Sequence, residues 1–562
     1  MSLKRGIGLL LVVALAYGVL IPWLGYYWDD WLVFAEAHMG PGFEIAERQF
    51  RPLLWDARTA TLGLLGERPL GWHLLALLAR GLLALAFGWT ASGLWPERRL
   101  ETAAASLLFA VYPGFSGQPL AAIYSHVLLQ FAIHLASFGA MVHGLRRPRL
   151  MLPMTLLALG LLALSLLLSE YFVGLELLRP ALLWMAMERS PDRPAGTWRA
   201  VLRRWSPYMA PLAIYVIWRF AFSGAPESYD PALALGNALN HPIAALASRA
   251  RIILADLVSL GPMAWAQVLG PDLLPEDDSQ RAVVLSWAVS AAVAAVAAAV
   301  LRSRRPGLEG AGAGIAWGRE AFGLGLVASC LGQLPLWLAG RGIRLGTLFD
   351  RYGLPAAVGS SLAAAGLIFL LVRTRRQQAA CVAILVGLAA GVHVRNANQY
   401  RLDWAAQRSF FWQLSWRLPD PPCGARLLVS TGGQAMAYTS DHALAVPVNW
   451  MFPRHRGPCE LQVRGGSGAV RPGEGVTADY RPPACLRVAA PAPPPASSAA
   501  AVPEEVFGAE PAHGWCFFFQ QAELARARGD GKALARWGEE VRRRGLGPAD
   551  DAEWTAFLGE DL

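Results

Sequence analysis

Charge is what this chain has least of. Of its 562 residues only 16% are Asp, Glu, Lys or Arg, while 54% are hydrophobic; a soluble globular domain carries about 25% charged residues. The stretches 282–301, 321–340 and 354–372 contain no charge at all. A run of roughly 20 apolar residues crosses the hydrocarbon core of a bilayer. In lipid such a run has to be helical, because it must satisfy its own backbone. Cysteine is also scarce. The six present form no C-x-x-C, and no H-E-x-x-H occurs, so a structural zinc site is not expected. Internal repeats are absent, which argues against a transporter built from paired repeats. No small-residue cleavage site precedes Tyr26-Tyr27-Trp28, so the apolar stretch 6–24 reads as a retained first helix rather than a removed signal.

The basic residues explain the net charge of +9. They sit between apolar runs, at Lys4-Arg5, Arg98-Arg99, Arg146-Arg147-Pro148-Arg149, Arg203-Arg204, 302–305 and 373–376. That distribution is a membrane topology signal, and nucleic acid is not an expected partner. The apolar stretches fall at 6–24, 70–94, 102–116, 118–142, 150–168, 171–187, 207–222, 282–301, 321–340, 354–372 and 379–394. With the N-terminus in the cytoplasm, alternation places every arginine cluster on the cytoplasmic side. The expected fold is therefore mainly α: a polytopic helical membrane protein with about eleven transmembrane helices, in the cytoplasmic (inner) membrane, with a C-terminal α+β extracytoplasmic domain.

The expected divisions are a transmembrane domain at 1–394, a mixed α/β domain at 395–490, a Pro/Ala linker at 491–503 and a helical hairpin at 504–562. Within the second outer segment, 233–239 and 243–260 read as helices on or near the membrane surface. In the tail, 427–429, 444–448 and 461–463 read as short strands. The segments 515–528 and 532–544 read as an amphipathic, tetratricopeptide-like hairpin packed on the strands. Cys330 and Cys381 lie in apolar helices. Of the outer cysteines Cys423, Cys459, Cys485 and Cys516, the pair Cys459–Cys485 is the expected disulfide.

Chemistry is expected in the first outer loop, Tyr26-Tyr27-Trp28-Asp29-Asp30-Trp31, followed by Phe50-Arg51-Pro52-Leu53-Leu54. An interfacial aromatic belt accounts for the tryptophans but not for two adjacent carboxylates. Close carboxylates repel, so one of them titrates high, which suits a general base or a cation ligand. The plain alternative is a solvated loop with a helix cap.

The Asp-Asp-Trp and Phe-Arg-Pro-Leu motifs after the first helix resemble the GT-C superfamily of membrane glycosyltransferases. The likeness is to the branch of protein O-mannosyltransferases and transmembrane-and-tetratricopeptide-repeat mannosyltransferases. Phe109-Ala110-Val111-Tyr112-Pro113-Gly114 stands where that branch has Phe-x-x-His-Pro, with Tyr112 replacing the histidine. Ser169-Glu170 falls at a family acidic position, and Asp350-Arg351-Tyr352-Gly353-Leu354-Pro355 resembles an Arg-Tyr-x-x-Pro motif.

The resemblance implies transfer of a sugar from a polyprenyl-phosphate donor to an acceptor hydroxyl at the outer face of the membrane, with inversion at the anomeric carbon. Asp29 or Asp30 would be the base, the first slightly favoured. Glu170 would orient the acceptor or a divalent cation. Arg51, Tyr112, Arg351 and Tyr352 would contact substrate, and membrane lipid is the surrounding partner. The acceptor, protein or glycan, and any metal are left open.

Each residue also has a structural reading. Arg51 can pair with Glu44 or Glu47, Arg351 with Asp350, and His126 can be a hydrogen-bonded core histidine. Arg219 can snorkel, and Arg249 and Arg251 can meet lipid headgroups. Competing functions are a transporter or flippase for a lipid-linked saccharide, an O-antigen-type polymerase or ligase, and a non-catalytic assembly protein whose outer domain binds a partner.

Overall fold

Apolar runs that cannot leave a backbone group unpaired in lipid fold as helices over almost their whole length. The computed structural model describes residues 2–39, 51–189, 197–222, 240, 242–270, 280–302, 311–346, 348–418, 421, 424–431, 436, 439–452, 461–465, 476–489 and 500–557. Among them, nine helical segments are long and apolar enough to cross a membrane: Leu3–Trp23, Pro69–Leu94, Ala121–Leu145, Pro148–Leu168, Pro242–Leu269, Gln280–Leu301, Gly314–Leu338, Leu348–Leu371 and Arg375–Arg417. The protein is a polytopic helical membrane protein with a small C-terminal sheet. Large apolar side chains face outward along these helices: Leu152, Leu156, Ile243 and Leu371 are all more than half exposed. In water this would be a liability; against lipid it costs nothing.

Eight of the eleven expected spans coincide with these segments. The other three are helical but fall short by length or composition. The expected span at 102–116 is the 12-residue helix Arg99–Ala110. That at 171–187 is a tight 3-10 turn, Glu170–Leu178, running into the helix Arg179–Glu188. That at 207–222 lies in Thr197–Phe222, which begins in charged sequence. Conversely, the helix Pro242–Val258, expected on the surface, continues through further helical turns to Leu269 and is long enough to span. The expected helix at 233–239 lies outside the described residues.

Close helix contacts depend on small residues. Gly325 and Gly359 face each other across the helices Ala311–Leu338 and Ala357–Leu371, and a Cβ at either would overlap the opposing backbone. Small residues at such crossings let helices gain dispersion contact where lipid offers no hydrophobic driving force. A polar clamp sits inside the bundle. Arg179 donates to both carboxylate oxygens of Glu176, at 2.6 and 2.7 Å, and to Ser137 at 2.9 Å. His134 lies 3.2 Å from the same carboxylate. Charges this deep persist only when paired.

The helix Arg375–Arg417 continues past the expected domain boundary at 394. It runs unbroken for 43 residues and carries the chain from the bundle into the tail. There four strands, β1 (Arg426–Thr431), β2 (Gln462–Gly465), β3 (Val476–Tyr480) and β4 (Arg487–Ala489), form one sheet in the order β2-β1-β3-β4. β1 is parallel to both β2 and β3, and β4 is antiparallel to β3.

The expected strand at 444–448 is instead part of the helix Asp441–Met451, capped by the Ser440 hydroxyl accepting from the Ala443 amide at 3.3 Å. The parallel pairing explains the difference. β1 and β2 cannot be joined by a tight turn, and the crossover is this helix. It is buried between the sheet and the first-loop helix Leu32–Met39, so its sequence is apolar on both sides and shows no helical period.

The hairpin forms as expected, from Trp515–Ala527 and Gly531–Arg544. The disulfide is not the expected one: Cys485 pairs with Cys516, across a Cα–Cα distance of 5.3 Å. The hairpin packs on the segment entering β4, where Gln520 donates to the Leu486 carbonyl at 2.6 Å, and that packing brings the two cysteines together. Cys423, Cys459 and most of the Pro/Ala linker lie outside the described residues.

Candidate active site

Adjacent carboxylates on a short turn need not face the same way. Trp28 has φ = 40°, a left-handed conformation that bulky residues adopt only at a cost. It opens the single 3-10 turn Trp28–Trp31, from which Asp29 and Asp30 diverge. Asp30 turns inward and is 0% exposed. It accepts from the Tyr27 amide at 3.2 Å and the Ile123 amide at 2.9 Å. The second bond satisfies a free amide in the first turn of Ala121–Leu145. Burial dominates its titration and pushes it well above the ordinary carboxylate range, against the pull of those amides.

Asp29 turns the other way and keeps 18% of its side chain exposed. Arg351 Nη1 donates to Oδ2 at 2.7 Å. His442 Nε2, from the crossover helix of the tail, lies 3.2 Å from Oδ1. Burial alone would raise this carboxyl; the hydrogen bond from His442 and the charge of Arg351 outweigh it and hold Asp29 below its usual value.

A second acidic group lies nearby. Glu170 opens a 3-10 turn after Ser169, whose hydroxyl accepts from the Tyr171 amide at 3.4 Å. Arg51 grips Glu170 with two nitrogens, the Nε at 3.1 Å, and Arg219 Nη2 approaches at 3.4 Å. Burial would raise Glu170, but the charge of Arg51, joined by that of Arg219, keeps it below its ordinary value.

Two tyrosines connect the acidic centres. The Tyr124 hydroxyl lies within electrostatic reach of Arg351 and Asp29. The Tyr171 hydroxyl lies within electrostatic reach of Arg351, Arg51 and Glu170. Arg351 stacks over the Tyr352 ring at 5.3 Å, and the Tyr352 hydroxyl accepts from Arg341 Nη1 at 3.0 Å.

Of the residues singled out in the sequence, Asp29, Glu170, Arg51, Arg351 and Tyr352 thus come together. Asp30 is walled off, and Tyr112 is occupied elsewhere, donating to the Leu260 carbonyl at 2.9 Å from a buried position. The structural pairings differ from those expected. Glu44 and Glu47 lie outside the described residues, and Arg51 holds Glu170. Arg351 holds Asp29 rather than Asp350, whose carboxylate accepts from the Ser116 amide at 2.8 Å. Arg219 reaches Glu170 instead of only snorkelling. His126 is a core histidine, hydrogen-bonded to Thr61 at 3.0 Å.

The cluster joins two carboxylates to three guanidiniums at one end of the bundle. It can orient a hydroxyl against a carboxylate and stabilise negative charge on an anion. Both carboxylates already face guanidiniums, so they make a poor cradle for a divalent cation; among the described residues no group of three His, Cys, Asp or Glu side chains is placed to hold one. Sequence reasoning missed Tyr124, Tyr171 and His442. Tyr171 adjoins Glu170, which was a usable signal. Nothing local marks His442, 413 residues from its carboxylate partner.

No family model matches the chain, and neither does any curated protein. Among solved structures, ArnT from Cupriavidus metallidurans bound to undecaprenyl phosphate is similar at 12% identity and a TM-score of 0.36, covering 84% of this chain and 92% of that one. The same protein in the apo state gives 12% identity and a TM-score of 0.29, covering 77% and 84%. Both measures are low, so the chemistry of this chain has to be read from its own residues.

Proposed function

We propose that this protein is an integral membrane glycosyltransferase of GT-C type. It moves a sugar from a polyprenyl-phosphate-linked donor to an acceptor hydroxyl at the outer face of the cytoplasmic membrane, with its N-terminus in the cytoplasm and its tail extracytoplasmic. The reading is made at the level of the superfamily and not of its O-mannosyltransferase branch. The observation that carries it is the convergence of Asp29, Arg351, Arg51 and Glu170, drawn from four separate segments, beside one end of the helical bundle.

The chemistry follows from these groups. The acceptor hydroxyl is activated at the Asp29 centre and attacks the anomeric carbon from the face opposite the phosphate. The bond from carbon to phosphate oxygen breaks, and the electron pair leaves with the lipid phosphate. Negative charge gathers on that oxygen, where preorganised cations are most effective. Arg351 and Arg51 are the guanidiniums placed to meet it. Glu170 keeps Arg51 and Arg219 in position, and Tyr352 supports Arg351.

A transporter or flippase would instead place its charges along a path through the bilayer; the Arg179 clamp is closed on itself and offers none. The test is Asp29→Asn in the full-length protein, assayed for transfer of labelled sugar from undecaprenyl-phosphate glucose, mannose, galactose or arabinose to cell-envelope material. Loss of at least about 100-fold is expected. Full activity in a normally folded variant refutes the assignment. Movement of the lipid-linked donor across vesicles without sugar transfer favours the flippase.

A further inference from the structure

We infer that His442, delivered by the tail, is the group that takes the acceptor's proton, and that Asp29 is its orienting partner. The inference rests on the transferase reading and assigns the base within it.

Both oxygens of Asp29 are engaged. Oδ2 accepts from Arg351 at 2.7 Å, and Oδ1 faces His442 Nε2 at 3.2 Å. A carboxylate held by a guanidinium and an imidazole N–H is a weak base, because protonation would forfeit both interactions. The imidazole is differently placed. Its contacts among the described residues, to Asp29 Oδ1 and to the Ser440 hydroxyl at 3.0 Å, are both made at Nε2. A ring nitrogen facing a carboxylate is the one that carries the proton, which leaves a lone pair on Nδ1. Nδ1 has no hydrogen-bond partner among the described residues, and 23% of the side chain is exposed. An acid that fixes the tautomer of a histidine and stabilises the imidazolium formed from it is a recurrent arrangement for deprotonating hydroxyls.

His442 is also held firmly enough for the task. It lies in the first turn of Asp441–Met451, capped by Ser440. Asp441 beside it accepts from the Gly465 amide at 2.8 Å and so faces away from the pair. The far end of the helix is pinned by Trp450, which stacks on His38 at 3.6 Å. The elements packed against the helix of His442 bring Asp29 on the first-loop turn, Glu36 and His38 on the first-loop helix, His38 being bonded to Glu67 at 2.7 Å, and Arg464 on β2; Arg351 acts on His442 through Asp29, which it holds.

The step balances. The acceptor O–H bond breaks as its oxygen bonds the anomeric carbon, and the proton passes to His442 Nδ1. The carbon–phosphate oxygen bond breaks with its electron pair on the lipid phosphate. The imidazolium–Asp29 pair then loses the proton to water.

The test compares wild type with His442→Gln and His442→Ala in the full-length protein in lipid nanodiscs. The donors are the same undecaprenyl-phosphate sugars with envelope acceptor material. Glutamine can still donate to Asp29 but has no base at the Nδ1 position. The expected result is a loss of about 100-fold or more in kcat with little change in KM. The acid limb of the wild-type kcat/KM profile should vanish in His442→Gln. Added imidazole should restore part of the activity of His442→Ala. Wild-type rates in His442→Gln, or an acid limb that persists unchanged in that variant, overturn the assignment and leave the transferase standing. Absence of sugar transfer by the wild-type protein from every donor overturns both.

Discussion

Replacing Asp30 by Ala separates architecture from chemistry within one dipeptide. Asp30 is fully buried and accepts from the Tyr27 and Ile123 amides. Alanine leaves both donors without a partner in a place water does not reach. Each orphaned buried donor costs about 1–3 kcal/mol, so Asp30→Ala should destabilise the first-loop junction by about 2–6 kcal/mol. The loss should appear as a lower midpoint of thermal unfolding in detergent, followed by size-exclusion chromatography.

The pH dependence has a definite sign. Burial raises the Asp30 carboxyl in the folded protein. Its contribution to stability is therefore fully present below the unfolded value of about 3.9 and is lost as pH rises through the raised folded value. The gap between wild type and Asp30→Ala should accordingly be widest in acid and narrow as pH rises through that raised value. Asp29→Asn, on a partly open and ion-paired side chain, should barely move the midpoint while removing activity. An Asp30→Ala protein with wild-type stability and no activity would refute this division of roles.

Glu170→Gln leaves Arg51 and Arg219 without their shared counter-charge. Charge-assisted hydrogen bonds are worth about 1.5–3 kcal/mol, so donor-dependent activity should fall about 10- to 100-fold in a transfer assay. Because Asp29 is held below its ordinary value by His442 and Arg351, its pairing persists as pH falls and is lost only below the usual carboxylate range. Acid titration of a spectroscopic probe on the first loop should show no opening between about pH 7 and 5. Cys485→Ser should destabilise the tail by about 2–4 kcal/mol and expose Trp515–Ala527 to limited proteolysis, with the membrane helices unaffected. Gly359→Leu forces apart two helices whose backbones touch and should abolish the folded peak in detergent chromatography.

The amino-acid sequence alone determined that this protein lives in a membrane and roughly where its helices run. Those facts follow from local composition: an apolar run of sufficient length has one way to bury its backbone in lipid, whatever its neighbours do. The same locality made the helical hairpin and the strand at 427–429 legible, and marked Asp29, Arg51, Glu170 and Arg351 as candidates for one site.

Tertiary structure decided what depends on contacts across the chain. Which carboxylate of the Asp-Asp pair is open and which is walled in depends on the amide of Ile123, 93 residues away. Whether 444–448 is strand or helix depends on the direction of β2. The cysteine joined to Cys485 depends on where the hairpin docks. His442 meets Asp29 only because a crossover helix of the tail lands on the first loop. Pairings of this kind leave no trace in residue spacing, since the burial and charge that set each side chain's chemistry belong to its partners in space.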